Sequence, residues 1–115
     1  MTDCIFCRIA SGEIPATVVA RNKDAVAFRD LNPQAPTHVL VIPVKHYNSL
    51  IDTDSDEGAA TVAKTVRLAV QVAKQLGLED GGYRLVLNTG RDGGQSVFHV
   101  HLHLLAGRRL AWPPG

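Results

Sequence analysis

A chain of 115 residues, 45% apolar, suffices for one domain with a proper core, and the formal net charge is only +1. No basic stripe or run is visible, so backbone-driven nucleic-acid binding has little electrostatic support. No apolar run approaches the roughly 20 residues of a membrane span, and Met1-Thr2-Asp3-Cys4 lacks the basic-then-apolar opening of a signal peptide, so a cytoplasmic protein is expected.

Residues 3–10 read as a short helix with Asp3 as N-cap or first-turn acid, an apolar face of Ile5, Phe6 and Ile9, and Gly12 as a stop. This stretch holds both cysteines, Cys4 and Cys7. They are open to three readings: a redox pair, half of a zinc site, or two small buried hydrophobes. Ile14-Pro15 forces an extended segment. Val18-Val19-Ala20-Arg21 and Ala25-Val26-Ala27-Phe28-Arg29 form a hairpin across the turn Asn22-Lys23-Asp24. Residues 30–37 are a loop with two prolines, and His38-Val39-Leu40-Val41-Ile42-Pro43 is so continuously apolar that it belongs at the sheet centre, buried on both faces. His46 follows shortly after.

Residues 54–76 are the long helix, capped by Asp54 or Ser55, with Asp56 and Glu57 in the first turn and Gly77 as a stop. Its expected inward stripe is Val62, Val66, Ala69 or Val70, and Ala73, which suits packing across a sheet better than docking on a partner. Tyr83-Arg84-Leu85-Val86-Leu87-Asn88 is a fourth strand, residues 89–96 a glycine-rich loop, and the run from His99 a fifth strand before an irregular tail. Hairpin-linked strands with inserted helices predict an α+β fold, a mainly antiparallel five-stranded sheet with one long and one short helix.

The informative stretch is His99-Val100-His101-Leu102-His103-Leu104-Leu105. On a strand the three histidines share one face and Val100, Leu102 and Leu104 the other. Neighbouring histidines would lie roughly 7 Å apart along the strand, too far to pair directly but close enough to meet one extended ligand. A solvated histidine face is the bland alternative. Backbone N–H groups of Gly93, Gly94, Gln95 and Ser96 can converge on an anion just before this row, with the Ser96 hydroxyl and the Asn88 amide as further donors. An ordinary hairpin turn competes with that reading. Anion donors beside neutral imidazoles suit phosphorus chemistry, in which one imidazole attacks and a second protonates the leaving group. No P-loop pattern is present.

The histidine run resembles the signature of the histidine-triad (HIT) superfamily. The likeness extends to Asp3-Cys4-Ile5-Phe6-Cys7, to residues 28–38, to Asp92-Gly93-Gly94-Gln95-Ser96 and to Trp112-Pro113-Pro114-Gly115, and is strongest to the histidine-triad nucleotide-binding (HINT) branch. The resemblance implies a single HIT domain over residues 1–115 and a homodimeric purine nucleoside phosphoramidase that cleaves a P–N bond through a nucleotidylated histidine. Carried over by position, His101 is the nucleophile, His103 touches phosphate and assists the leaving group, and His38 is a fourth, network histidine. Asn88, Gly94, Gln95 and Ser96 resemble the phosphate and leaving-group contacts, with Ser96 counted among the catalytic residues. Asp30 resembles the ribose carboxylate, and Ile5, Phe6, Ile9 and Leu31 the base pocket, although plain core packing explains apolar residues equally well. Trp112 resembles the tail element that shapes the partner subunit's site. Zinc-carrying members imply a structural zinc on Cys4, Cys7, His46 and His99, whereas members without the cysteines use the first triad histidine to serve the nucleophile. A dinucleoside polyphosphate hydrolase, or a nucleotide-binding scaffold with incidental turnover, are the alternative functions. A nucleotidyl transferase is disfavoured because His103 is present.

Overall fold

The computed structural model describes residues 3–115; Met1 and Thr2, part of the opening read for a leader, lie outside them. Five strands form one antiparallel sheet in the order β1-β2-β3-β5-β4, with β1 at Val18–Arg21, β2 at Ala25–Arg29, β3 at Thr37–Pro43, β4 at Tyr83–Val86 and β5 at Leu102–Ala106. Helix α1 spans Ile5–Ala10, α2 spans Asp56–Gln75, and a 3-10 turn occupies Leu50–Thr53 between β3 and α2. The expected α+β architecture is observed, and β3 is central and buried along its length after Thr37. Among the described residues no helix is long and apolar enough to cross a membrane.

Strand alternation divides the molecule into two faces. Ala25 and Ala27 of β2, Val39 and Val41 of β3, and Leu102 and Leu104 of β5 pack under Leu68, Ala69, Val72 and Ala73 of α2. Small residues on β2 let the helix lie close. Val26 and Phe28, with Leu40 and Ile42, point to the opposite face, where Phe6, Ile9 and Ala10 of α1 cover them. The chemistry lies on this second face.

Three local expectations are corrected. Cys4, not Asp3, is the N-cap of α1, its Sγ accepting from the Cys7 amide at 3.4 Å. The buried stripe of α2 runs through Thr65, Leu68, Ala69, Val72 and Ala73, while Val70 is exposed, because two adjacent pairs rather than a single row face the sheet. The fifth strand begins at Leu102, so only His103 of the histidine row is on it. The ladder ends at the pair Val41–Leu102, and its next hydrogen-bonded pair, two residues on, would set Pro43 opposite Val100. Pro43 has no N–H to offer, and the Val100 amide bonds the Tyr47 carbonyl instead, at 2.8 Å.

Candidate active site and metal centre

His38 and His103 meet because the β3–β5 register sets Leu40 opposite His103, placing His38 one same-face step away. His38 Nδ1 accepts the Gln34 amide at 3.0 Å, so its proton is on Nε2. That Nε2–H donates to His103 Nδ1 at 2.9 Å, with Asp30 Oδ2 at 3.4 Å. His103 therefore carries its own proton on Nε2. His101 is the reverse. Its Nδ1–H donates to the His99 carbonyl at 2.8 Å, so its Nε2 holds a lone pair.

Both rings line a cavity of about 320 Å³ together with Ile5, Phe6, Ile9, Phe28, Asp30, Leu31, Leu40 and Ser96. The expectation that the histidines stand too far apart to touch is corrected, since the His101 and His103 ring centroids are 5.0 Å apart. Burial, with His101 and His38 adding to it against Asp30, lowers the His103 pKa to about 4. Burial lowers that of His38 as well, against the pull of Asp30. Both are neutral at physiological pH.

A second cluster lies beside the first. Cys4, Cys7, His46 and His99 bring one donor atom each within 4.8 Å of the others. His99 Nε2–H donates to the Pro43 carbonyl at 2.8 Å, and His46 Nε2–H to Asn48 Oδ1 at 2.6 Å. With both protons turned outward, two unprotonated Nδ1 atoms face each other at 3.1 Å. His99 Nδ1 lies 3.3 Å from Cys4 Sγ and 3.5 Å from Cys7 Sγ, and Cys7 Sγ lies 3.3 Å from His46 Nδ1. Burial lowers the His99 pKa to about 4, keeping the lone pair available. A tetrahedral cation with bonds of about 2.0–2.3 Å to nitrogen and sulfur holds its donors about 3.3–3.8 Å apart, close to these separations. The outward second hydrogen bond of each imidazole is the arrangement metal-ligating histidines adopt. Asp30, His38 and His103 also converge, but there the His38 Nε2–H already points at His103 Nδ1, so the two ring nitrogens satisfy each other.

Ser96 lines the cavity from an exposed position. Asp30 Oδ1 accepts the Asn32 amide at 2.8 Å, and the carboxylate edges the cavity. Leu31 also edges it, yet is 99% exposed. Asn88 follows β4 on the face shared with His103, since Leu85 and Leu87 pack toward α2, but it is not on the cavity wall. Trp112 is exposed and away from the cavity of its own chain.

Two of the four loop amides are engaged within the turn: the Gly94 N–H bonds the Arg91 carbonyl at 3.1 Å and the Gln95 N–H the Gly90 carbonyl at 3.0 Å. The Gln95 side chain is buried, accepting from the Gly90 amide and donating to the Asn48 and Val97 carbonyls. It braces the loop from inside. Sequence reasoning did not anticipate the backbone partners Gln34 N–H, Pro43 C=O and His99 C=O, since no side-chain pattern encodes them. It also missed Asn48, which holds both His46 and Gln95, and Thr17 and Arg29 on the cavity wall.

A family model described as HIT domain matches residues 11–110. A 14 kDa zinc-binding protein of Zea mays is 49% identical over 112 residues, covering 96% of this chain and 87% of the relative. The purine nucleoside phosphoramidase of Escherichia coli K12 is 44% identical over 111 residues, covering 94% of this chain and 90% of that one. The crystal structure of a HIT family hydrolase from Legionella pneumophila Philadelphia 1 superposes with a TM-score of 0.94 at 51% identity, covering 98% of this chain and all of that one. With its histidine row and its cavity, the chain belongs to the histidine-triad (HIT) family.

Proposed function

We propose that this HIT-family hydrolase cleaves the P–N bond of AMP or GMP phosphoramidates through a nucleotidyl-histidine at His101. The observation that carries the reading is the complementary pair of imidazoles on one cavity, a lone pair on His101 Nε2 and an N–H on His103 Nε2. His101 Nε2 attacks phosphorus, and the positive charge its ring acquires is stabilised by the Nδ1–H to the His99 carbonyl. The P–N bond breaks and the amine departs with a proton delivered at His103 Nε2, which His38 backs through its hydrogen bond to Nδ1. Water then attacks the same phosphorus and returns a proton to His103 Nε2 as the bond from phosphorus to His101 Nε2 breaks, releasing the nucleoside monophosphate and restoring both imidazoles. Ile5, Phe6, Ile9 and Leu31 take the base, Asp30 accepts the ribose hydroxyls, and Ser96 and Asn88 donate to the phosphate or the leaving nitrogen. Gly94 and Gln95 act at one remove, shaping the loop that carries Ser96. The name of the Escherichia coli relative supports the substrate class.

Cys4, Cys7, His46 and His99 are proposed to hold a structural zinc, a reading supported by the donor set and by the name of the Zea mays relative. When bound, the ion supplies a staple between α1 and the chain leading into β5. The exposed Trp112 and Leu31 support a homodimer in which each tail reaches the partner's cavity.

The experiment is to trap the adduct. Mass spectrometry after mixing with an AMP phosphoramidate should find the nucleotide on His101. His101→Gln should lower turnover at least about 10³-fold and leave AMP affinity within a few-fold. Unchanged turnover, or a nucleotide on His99 or His103, overturns the mechanism. Faster turnover of a dinucleoside tetraphosphate than of the phosphoramidate overturns the substrate.

A further inference from the structure

Helix α1 belongs to both clusters at once. Cys4 and Cys7 offer donors from its cap and first turn, while Ile5, Phe6 and Ile9 between and after them wall the cavity. Phe6 is the junction. Its buried ring stands edge-on to His99, with centroids 6.0 Å apart, and to His101, at 5.1 Å. His99 in turn accepts the His101 Nδ1–H on its carbonyl. One residue thus touches a ring of the metal cluster and the ring of the nucleophile, and a second supplies a donor to the metal cluster and the orienting acceptor of the nucleophile.

At six residues α1 is too short to hold itself as a helix. Its order comes from its attachments. The cysteine end is tied through the Cys4–Cys7–His46–His99 cluster, and the apolar side through Phe6, Ile9 and Ala10 on the sheet. A cation drawing four donors together secures the first attachment. A base lying on Ile5, Phe6 and Ile9 secures the second. Either event orders the same helix and so lowers what the other must order.

We propose that metal loading at Cys4, Cys7, His46 and His99 and nucleotide binding in the cavity are positively coupled through α1, with Phe6 as the coupling residue. The inference rests on the zinc and nucleotide readings above and adds that the metal site sets nucleotide affinity. Linkage then requires zinc to tighten AMP by the same factor by which AMP tightens zinc, here expected at about 5-fold or more.

The test measures both arms on the full chain. Calorimetric titration of AMP into zinc-loaded and zinc-stripped protein gives one factor. Competition for zinc against a chromophoric chelator, with and without saturating AMP, gives the other. Equal factors of about 5 or more support the proposal. Stoichiometric zinc with AMP affinities that agree within a factor of two overturns it while leaving both underlying readings intact. Failure to bind zinc overturns it together with the metal assignment, and failure of the loaded protein to bind AMP overturns it together with the nucleotide reading. Stripping can unfold the chain, and global folding would then link the two ligands trivially. Phe6→Leu separates the cases. In that variant the chelator factor should fall toward one while zinc still binds. A factor equal to that of the unsubstituted chain overturns the assignment to Phe6.

Discussion

Three histidines two residues apart are held in three different ways because each makes a different hydrogen bond. His99 donates from Nε2 to the Pro43 carbonyl, His101 from Nδ1 to the His99 carbonyl, and His103 accepts at Nδ1 from His38 Nε2–H. Neutral rings are what the site requires, and burial enforces this at His103 and His38. The sign for stability follows. The unfolded chain takes up protons near the ordinary histidine value of about 6.5, whereas folded His103 resists until about 4. The stability contributed by His103 is full above about pH 6.5 and is lost as pH falls toward 4, and the lowered pKa of His38 adds to it in the same direction. Urea denaturation should show a midpoint that drops from pH 7 to pH 5. His103→Gln should flatten that slope, and an unchanged slope would remove His103 as its source.

At the level of elements, the two helices serve different faces of the sheet, and perturbing them should have separable effects. The Ser55 hydroxyl accepts the Gly58 amide at 2.9 Å and caps α2 on the face away from the cavity. Ser55→Ala should cost about 1 kcal/mol of stability and leave kcat and KM unchanged, as read by chemical denaturation and steady-state kinetics. The glycine loop should behave otherwise. A Cβ on Gly93 would lie 2.4 Å from the Thr89 carbonyl oxygen, so Gly93→Ala must displace the turn that carries Ser96. A several-fold fall in kcat/KM is expected, with a loss of stability of about 1–3 kcal/mol. Unaltered kinetics would show that the loop does not position Ser96.

For the molecule as a whole, the proposed tail exchange predicts that Trp112 matters to the site and little to the fold. Trp112 is 81% exposed, on a tail that Arg84 holds by the Leu110 and Ala111 carbonyls. Trp112→Ala should leave the melting temperature within about 2 °C. It should lower kcat/KM about 10-fold. Light scattering should give twice the chain mass. A monomer with full activity would remove the exchange.

The sequence by itself determined most of the elements and their faces, because side-chain periodicity records burial directly: the apolar run of β3 and the helical stripe of α2 are legible, the latter off-centre, whereas the start of β5 at Leu102 and the 3-10 turn at Leu50–Thr53 are not. It also brought the candidate residues into view, since a row of three histidines beside a glycine-rich loop is rare chemistry in any fold. What it did not contain was the state of each imidazole. Proton placement depends on the Gln34 amide and on the carbonyls of Pro43 and His99, backbone groups that every sequence has and none marks. Only the tertiary structure decided that His99 turns to the cysteines while His101 keeps a lone pair for the cavity. The physical reason is Pro43, whose missing N–H leaves the ladder ending at Leu102, before the first two histidines, and lets their rings follow different partners.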